Sequence, residues 1–93
     1  MGKLSGNEIN EALEALKDWQ HRNNQIEKEF TFDTYMKGID FVNRLAGKAE
    51  EQNHHPDLEV GWCKIKVAFT SHDSGGITER DVKMAKEAEA IVT

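Results

Sequence analysis

Two of the four histidines in this 93-residue chain, His54 and His55, stand side by side directly before its only proline, Pro56. A third, His72, follows further along. Imidazole titrates near ~6.5 when unperturbed, so a histidine group suits a reaction that protonates one atom and deprotonates another near neutrality. The backbone around the pair is constrained. A residue before proline is pushed out of the helical region into extended conformation. Neighbouring side chains on extended backbone point in opposite directions. One of His54 and His55 can then face a pocket while the other supports its wall, and Pro56 limits how far either drifts. His21 lies in a polar stretch and is given no role.

Other readings of these residues stay open. All three can be solvated loop histidines. Three histidines with Glu50 can also ligate zinc. Against a metal, adjacent rings do not easily aim at one ion, and there is no i, i+4 histidine pair or Cys-x-x-Cys. Glu50, four residues before His54, either orients an imidazole or is one more solvated acid in "KAEEQ". Asp73 either accepts hydrogen bonds from a ligand or serves as a turn-former. Asp81 either points into the site or acts only as the partner of a helix cap at Thr78. For Trp19 and Trp62, burial in the core or at a subunit contact is favoured over stacking on a ligand. Cys63, the only cysteine, is read as structural.

The elements that position these residues follow from capping and periodicity. Ser5-Gly6-Asn7-Glu8 is a capping-box pattern, and Ile9, Ala12, Leu13 and Leu16 continue it as a helix over about 6–17. "QHRNNQ" predicts a short edge strand with a turn at Asn23-Asn24. Ile26, Phe30 and Phe32 alternate with polar residues as a half-buried strand. Asp33 is placed to cap a second helix. That helix runs to about Glu51, with Tyr35, Ile39, Val42, Ala46 and Ala49 on its apolar stripe and Phe41 and Leu45 widening it. Leu58, Val60 and Trp62, then Ile65, Val67 and Phe69, predict a hairpin turning near Gly61 to Lys64. "SHDSGG" is a loop. Thr78-Glu79-Arg80-Asp81 caps a last helix whose apolar face holds Val82, Ala85, Ala88 and Ile91. The order α-β-β-α-β-β-α implies an α+β fold: a four-stranded antiparallel sheet with three helices on one face. In an antiparallel hairpin the start of one strand lies beside the end of the other. His54 and His55 should therefore meet His72 at one edge of the sheet.

Length and charge narrow the function classes. Residues 1–93 form one domain. A chain this short, with no disulfide, gains stability by association, so a dimer or tetramer is expected. The net charge of −5 on a mixed surface disfavours phosphate-backbone binding. No apolar run is long enough for a signal peptide or a membrane span. "MGKLSG" lacks a Ser or Thr where a myristoylation signal needs one. The chain reads as cytoplasmic.

Glu50, His54-His55-Pro56, Trp62, His72 and Asp81 together form a spaced pattern, flanked by "DW" at Asp18-Trp19 and by "GITERDVKMA". In this pattern the chain resembles the pterin-4a-carbinolamine dehydratases over essentially its whole length. The resemblance implies the same α+β fold and a dimeric or tetrameric assembly. It implies dehydration of 4a-hydroxytetrahydropterin to quinonoid dihydropterin, recycling the cofactor of aromatic amino-acid hydroxylases, with no metal or organic cofactor. By carry-over His54 and His72 are the acid/base pair, and His55 contacts substrate or joins the proton relay. Glu50 orients a histidine, and Asn53, Pro56, Thr70, Ser71, Asp73 and Asp81 line the pterin site. Asn53 and Leu58 depart from residues common in relatives, which bears on preference for the pterin side chain. The resemblance also carries an alternative from another class, a non-catalytic oligomeric interaction module of the dimerisation-cofactor kind.

Overall fold

The computed structural model describes residues 2–93. Its helices are α1 (Gly6–Glu14), α2 (Tyr35–Gln52) and α3 (Glu79–Val92), and its strands are β1 (Gln20–Arg22), β2 (Gln25–Thr31), β3 (Asp57–Val60) and β4 (Lys64–Phe69). One 3-10 turn, His72–Ser74, follows β4. The predicted α+β order is the observed one. All pairings are antiparallel and the strands lie in the order β1-β2-β4-β3. The two hairpins are therefore joined through their second strands, with Ile26 opposite Phe69 and Phe30 opposite Ile65.

Alternation sorts the two faces of the sheet. Ile26, Phe30, Ile65, Val67 and Phe69 are buried with Phe41, Leu45 and Ala49 of α2 and Met84, Ala85 and Ala88 of α3. Trp19 closes one end of this core. It stacks near Phe69, meets Phe30 edge-on, and donates from Nε1 to Glu89. No helix among the described residues is long and apolar enough to cross a membrane.

Four local expectations are corrected. The first helix ends at Glu14 rather than near residue 17, because the chain must turn back for Trp19 to reach the core. Asp18 adopts a left-handed φ of 69° in that turn, which Asp tolerates better than most residues. The cap of α2 is Thr34, not Asp33. Thr34 has the extended backbone a cap needs, and its hydroxyl accepts from the Lys37 amide, while Asp33 pairs with the Lys37 ammonium. The buried stripe of α2 is Gly38, Phe41, Leu45 and Ala49, and Tyr35 and Ala46 are exposed. Trp62 lies beyond the end of β3, in the turn closed by the Gly61 amide and the Lys64 carbonyl, and is 80 % exposed. It packs in no core of this protomer.

Candidate active site

His54 and His55 leave the C-terminus of α2, and the helix end dictates their geometry. Asn53 takes the left-handed cap position at φ 51°, a conformation asparagine accommodates well. The amides of Asn53 and His54 donate back to the last turn, to Glu50 and Ala49 respectively. This reversal aims the two imidazoles apart, as the pre-proline backbone requires. His54 turns inward and is buried, and His55 faces outward. The register of β3 on β4, with Asp57 opposite Ala68, brings the pair alongside the end of β4. The His54 ring lies 6.2 Å from the Phe69 ring, nearly parallel to it.

His54 ends in a buried polar chain. Its Nε2 lies 2.5 Å from Oδ1 of Asp81, a side chain with no exposed surface. The other oxygen of Asp81 accepts from the Ser71 hydroxyl and from the Thr78 amide, each at 2.8 Å. A carboxylate holding these donors is an acceptor at Oδ1 as well, so His54 donates its Nε2–H. Ser71 has one proton and gives it to Asp81. The 2.9 Å contact between Ser71 and Thr78 hydroxyls is then a donation from Thr78. Every donor in the chain runs toward one carboxylate, which satisfies the buried polar groups. No buried side-chain nitrogen or oxygen among the described residues lacks a partner. Asp81 thus fills both readings left open by the sequence: it completes the cap of α3 and it reaches the histidine. With Nε2 committed inward, Nδ1 of His54 is the edge left for solvent or substrate.

His55 pairs with Glu50, 2.5 Å between Nε2 and Oε2, at the surface. Glu50 therefore orients the second histidine of the pair, not the first. His72 opens the 3-10 turn directly after Ser71 and is exposed. Its chain neighbour Ser71 bonds Asp81, the partner of His54, so the backbone at His72 lies at the same edge of the sheet as His54 and His55. Asp73 is exposed and held by Arg80, 2.6 Å away. That guanidinium keeps the Asp73 carboxyl below its ordinary range, and Asp73 in turn raises Arg80. Thr70 is half-buried and gives its hydroxyl proton to the Asn24 carbonyl. Pro56 is half-buried and Asn53 exposed, whereas Ser71 and Asp81 lie beneath the histidines with no open surface.

Two residues near the site make contacts that no local pattern announces. The capping pattern at Thr78 accounts for Arg80 only as a helix residue, yet its guanidinium bonds Asp73. The hairpin pattern accounts for Asn24 only as a turn residue, yet its amide bonds Gly75. Two clefts, of about 770 and 490 Å³, lie elsewhere: one has Leu4, Ala12, Val82 and Arg80 in its lining, the other Lys28, Phe41 and Ile91, and neither is lined by a histidine.

The family profile described as Pterin 4 alpha carbinolamine dehydratase matches residues 2–91. The chain belongs to the pterin-4a-carbinolamine dehydratase family. A family member from Aquifex aeolicus, provisionally named as this dehydratase, is 47 % identical over 97 % of this chain and 91 % of its own. A second, from Sulfurisphaera tokodaii and under the same provisional name, is 40 % identical over the full length of both. Among solved structures, the transcriptional coactivator/pterin dehydratase from Brucella melitensis superposes with a TM-score of 0.95 at 33 % identity, covering 99 % of this chain and all of that one. A pterin dehydratase-like protein described as a RuBisCO assembly factor of the alpha-carboxysome shares the fold, with a TM-score of 0.65 at 23 % identity, covering 78 % of this chain and 84 % of that one.

Proposed function

We propose that this chain removes water from 4a-hydroxytetrahydropterin to give the quinonoid dihydropterin, the form that a separate two-electron reduction converts back to the tetrahydropterin used by aromatic amino-acid hydroxylases. The observation that carries this reading is the His54–Asp81–Ser71–Thr78 chain standing beside His72 and His55. In the reaction the C4a–O bond breaks as its oxygen takes a proton, and a ring N–H proton leaves as the C=N bond forms. One imidazole gives a proton and another receives one, so the enzyme's proton count is unchanged, and a proton passes back from the second to the first, directly or through solvent, before the next turnover. His54 and His72 are the acid/base pair in this proposal. Asp81 holds the His54 ring in one tautomer and one orientation, with Ser71 and Thr78 fixing Asp81 in turn. His55, oriented by Glu50, contacts the pterin with Asn53, Pro56, Thr70 and Asp73. The step draws on no metal or organic cofactor. The protein acts in the cytoplasm as a homodimer or homotetramer, with no nucleic-acid partner.

The test follows dehydration directly. 4a-Hydroxytetrahydropterin is generated in situ by a hydroxylase, and quinonoid dihydropterin is read by absorbance with wild type and with His54→Ala/His72→Ala. Acceleration by wild type that vanishes in the double variant is expected. Folded wild type without acceleration would overturn the reading. It would favour the interaction module, which the open edge strand β3 supports: Val60 and Trp62 expose large apolar side chains there.

A further inference from the structure

His72 lies in a loop whose contacts fix the backbone that carries its imidazole. Ser71 and Gly76 close that loop with reciprocal backbone hydrogen bonds, Ser71 N to Gly76 O at 3.1 Å and Gly76 N to Ser71 O at 3.3 Å. Within it, the Gly75 amide donates to the His72 carbonyl. One flank is tied down by Ser71 on Asp81 and by Arg80 on Asp73. The opposite flank rests on a residue far away in sequence. Asn24, in the β1–β2 turn, donates from Nδ2 to the Gly75 carbonyl at 3.0 Å, and its own carbonyl accepts from the Thr70 hydroxyl at 2.8 Å. It thus holds the residue that enters the loop and a residue that leaves it, with His72 between. The approach is close: a Cβ on Gly76 would meet Asn24 Oδ1 at 3.1 Å.

The turn is shaped for this contact. Asn23 and Asn24 are both left-handed, at φ 55° and 58°, as a two-residue hairpin turn demands. A glycine at position 24 would serve the turn equally well and could not reach Gly75. The amide is therefore surplus to the hairpin and used by the loop.

We infer that Asn24 is a positioning residue for His72: the β1–β2 turn latches the loop and sets where the imidazole stands against the substrate. This rests on the dehydratase reading. A displacement of about an ångström at an acid/base group is enough to lower a rate by as much as 10²-fold.

Asn24→Gly keeps the left-handed backbone and the carbonyl that accepts from Thr70, and removes the side-chain bond to Gly75. Asn24→Asp keeps shape and turn but sets a carboxylate against the Gly75 carbonyl, and it replaces the glycine variant should that one fail to fold. Two readouts are taken on each folded variant. The first is kcat and KM for dehydration. The second is the His72 Cε1–Hε1 NMR signal, with the His54 signal as internal reference. We expect kcat to fall about tenfold or more with KM within about twofold, and the His72 signal to shift or broaden while that of His54 holds. An unchanged His72 signal overturns the latch. A disturbed His72 signal with unchanged kcat, in a chain whose wild type is active, overturns the positioning role. If wild type shows no dehydration but His72 is disturbed, the latch stands and the dehydratase reading falls.

Discussion

Nε2 of His54 lies 2.5 Å from Oδ1 of Asp81, although 27 residues separate them. The carboxylate is fully buried and its second oxygen is already held by Ser71 and Thr78. This locates the His54 proton on Nε2 and leaves Nδ1 outward. In Asp81→Asn the amide oxygen stays with the Thr78 amide and the Ser71 hydroxyl, so the NH2 group faces His54. Two donors then oppose each other unless His54 changes tautomer or turns. The expected result is a fall in dehydration rate of about 10²-fold or more, the scale of lost acid/base help, with a tautomer change in the His54 ¹⁵N shifts. An unaltered tautomer together with an unaltered rate would remove Asp81 from the mechanism.

His54 and His72 should separate stability from rate. Both alanine variants are expected to slow dehydration by roughly 10²-fold or more. Their folding effects differ because one side chain is buried against a charge and the other is exposed. His54→Ala leaves the Asp81 carboxylate buried without one of its donors, a change that costs about 3 kcal/mol. His72→Ala removes no contact of that kind and should leave the denaturation midpoint within about 0.5 kcal/mol of wild type. Equal destabilisation by the two variants would contradict this assignment of their environments.

Thr78 serves the helix and the buried chain together. Its hydroxyl accepts from the Arg80 amide as the cap of α3 and meets Ser71 at 2.9 Å. Loss of a cap alone costs about 1 kcal/mol. Thr78→Ala also strips the Ser71 hydroxyl of its donor, so the expected loss is about 2 kcal/mol. Thr78→Ser keeps the hydroxyl and should recover most of it. A loss that serine does not recover would mean that the Thr78 methyl, not its hydroxyl, carries the stability.

How much of this was legible depends on the distance over which each signal acts. The strands, the caps at Ser5 and Thr78, and the gathering of His54, His55 and His72 at one edge follow from alternation and hairpin geometry, which are short-range rules. Asp81 was half legible. A capping box accounts for one carboxylate oxygen and is silent about the other, whose partner comes from a different element. Asn24 was illegible as a latch for the same reason: any left-handed turn residue satisfies the hairpin, and its second use needs the loop that packs on it. Trp62 fits the alternation of its strand, but the strand stops at Val60, because the Gly61–Lys64 turn takes over the backbone bonds. On α2 the overlapping Ile39/Val42 and Phe41/Leu45 stripes both have helical spacing, and only packing against β4 and α3 chooses the second.

The acid sensitivity of the sheet should trace to Glu27. This buried carboxylate takes hydrogen bonds from Gln25 and Arg22 and lies 3.8 Å from the Lys66 ammonium. The Gln25 amide foremost, then Arg22 and Lys66, hold its pKa below the ordinary 4.5, against the opposing pull of burial. A depressed folded pKa means that the unfolded chain binds more protons in the window between the two values. The stabilisation is complete above the unfolded value and is lost as pH falls through the folded one. Urea titrations of wild type and Glu27→Gln should therefore differ most at about pH 7 and converge as pH falls through the lowered folded-state value. A constant gap across that range would show that glutamine loses packing rather than charge.

Gly47 offers a gain rather than a loss. It lies well inside α2, at an exposed position, and a Cβ built there meets nothing within 4 Å. Glycine within a helix costs roughly 0.5–1 kcal/mol relative to alanine, because the unfolded chain forfeits more freedom. Gly47→Ala should raise stability by about that amount, which is on the order of 2–8 °C in Tm for a domain of this size, with dehydration unchanged. Gly38 tests the same entropy in a tighter place, since its Cβ would stand 3.4 Å from Phe32 and 3.5 Å from Ile65. There the gain should shrink to about half or less, as overpacking offsets part of it. If Gly47→Ala instead lowers Tm, and does so more at high protein concentration than at low, the exposed face of α2 is occupied by another subunit, and the methyl is intruding on that contact.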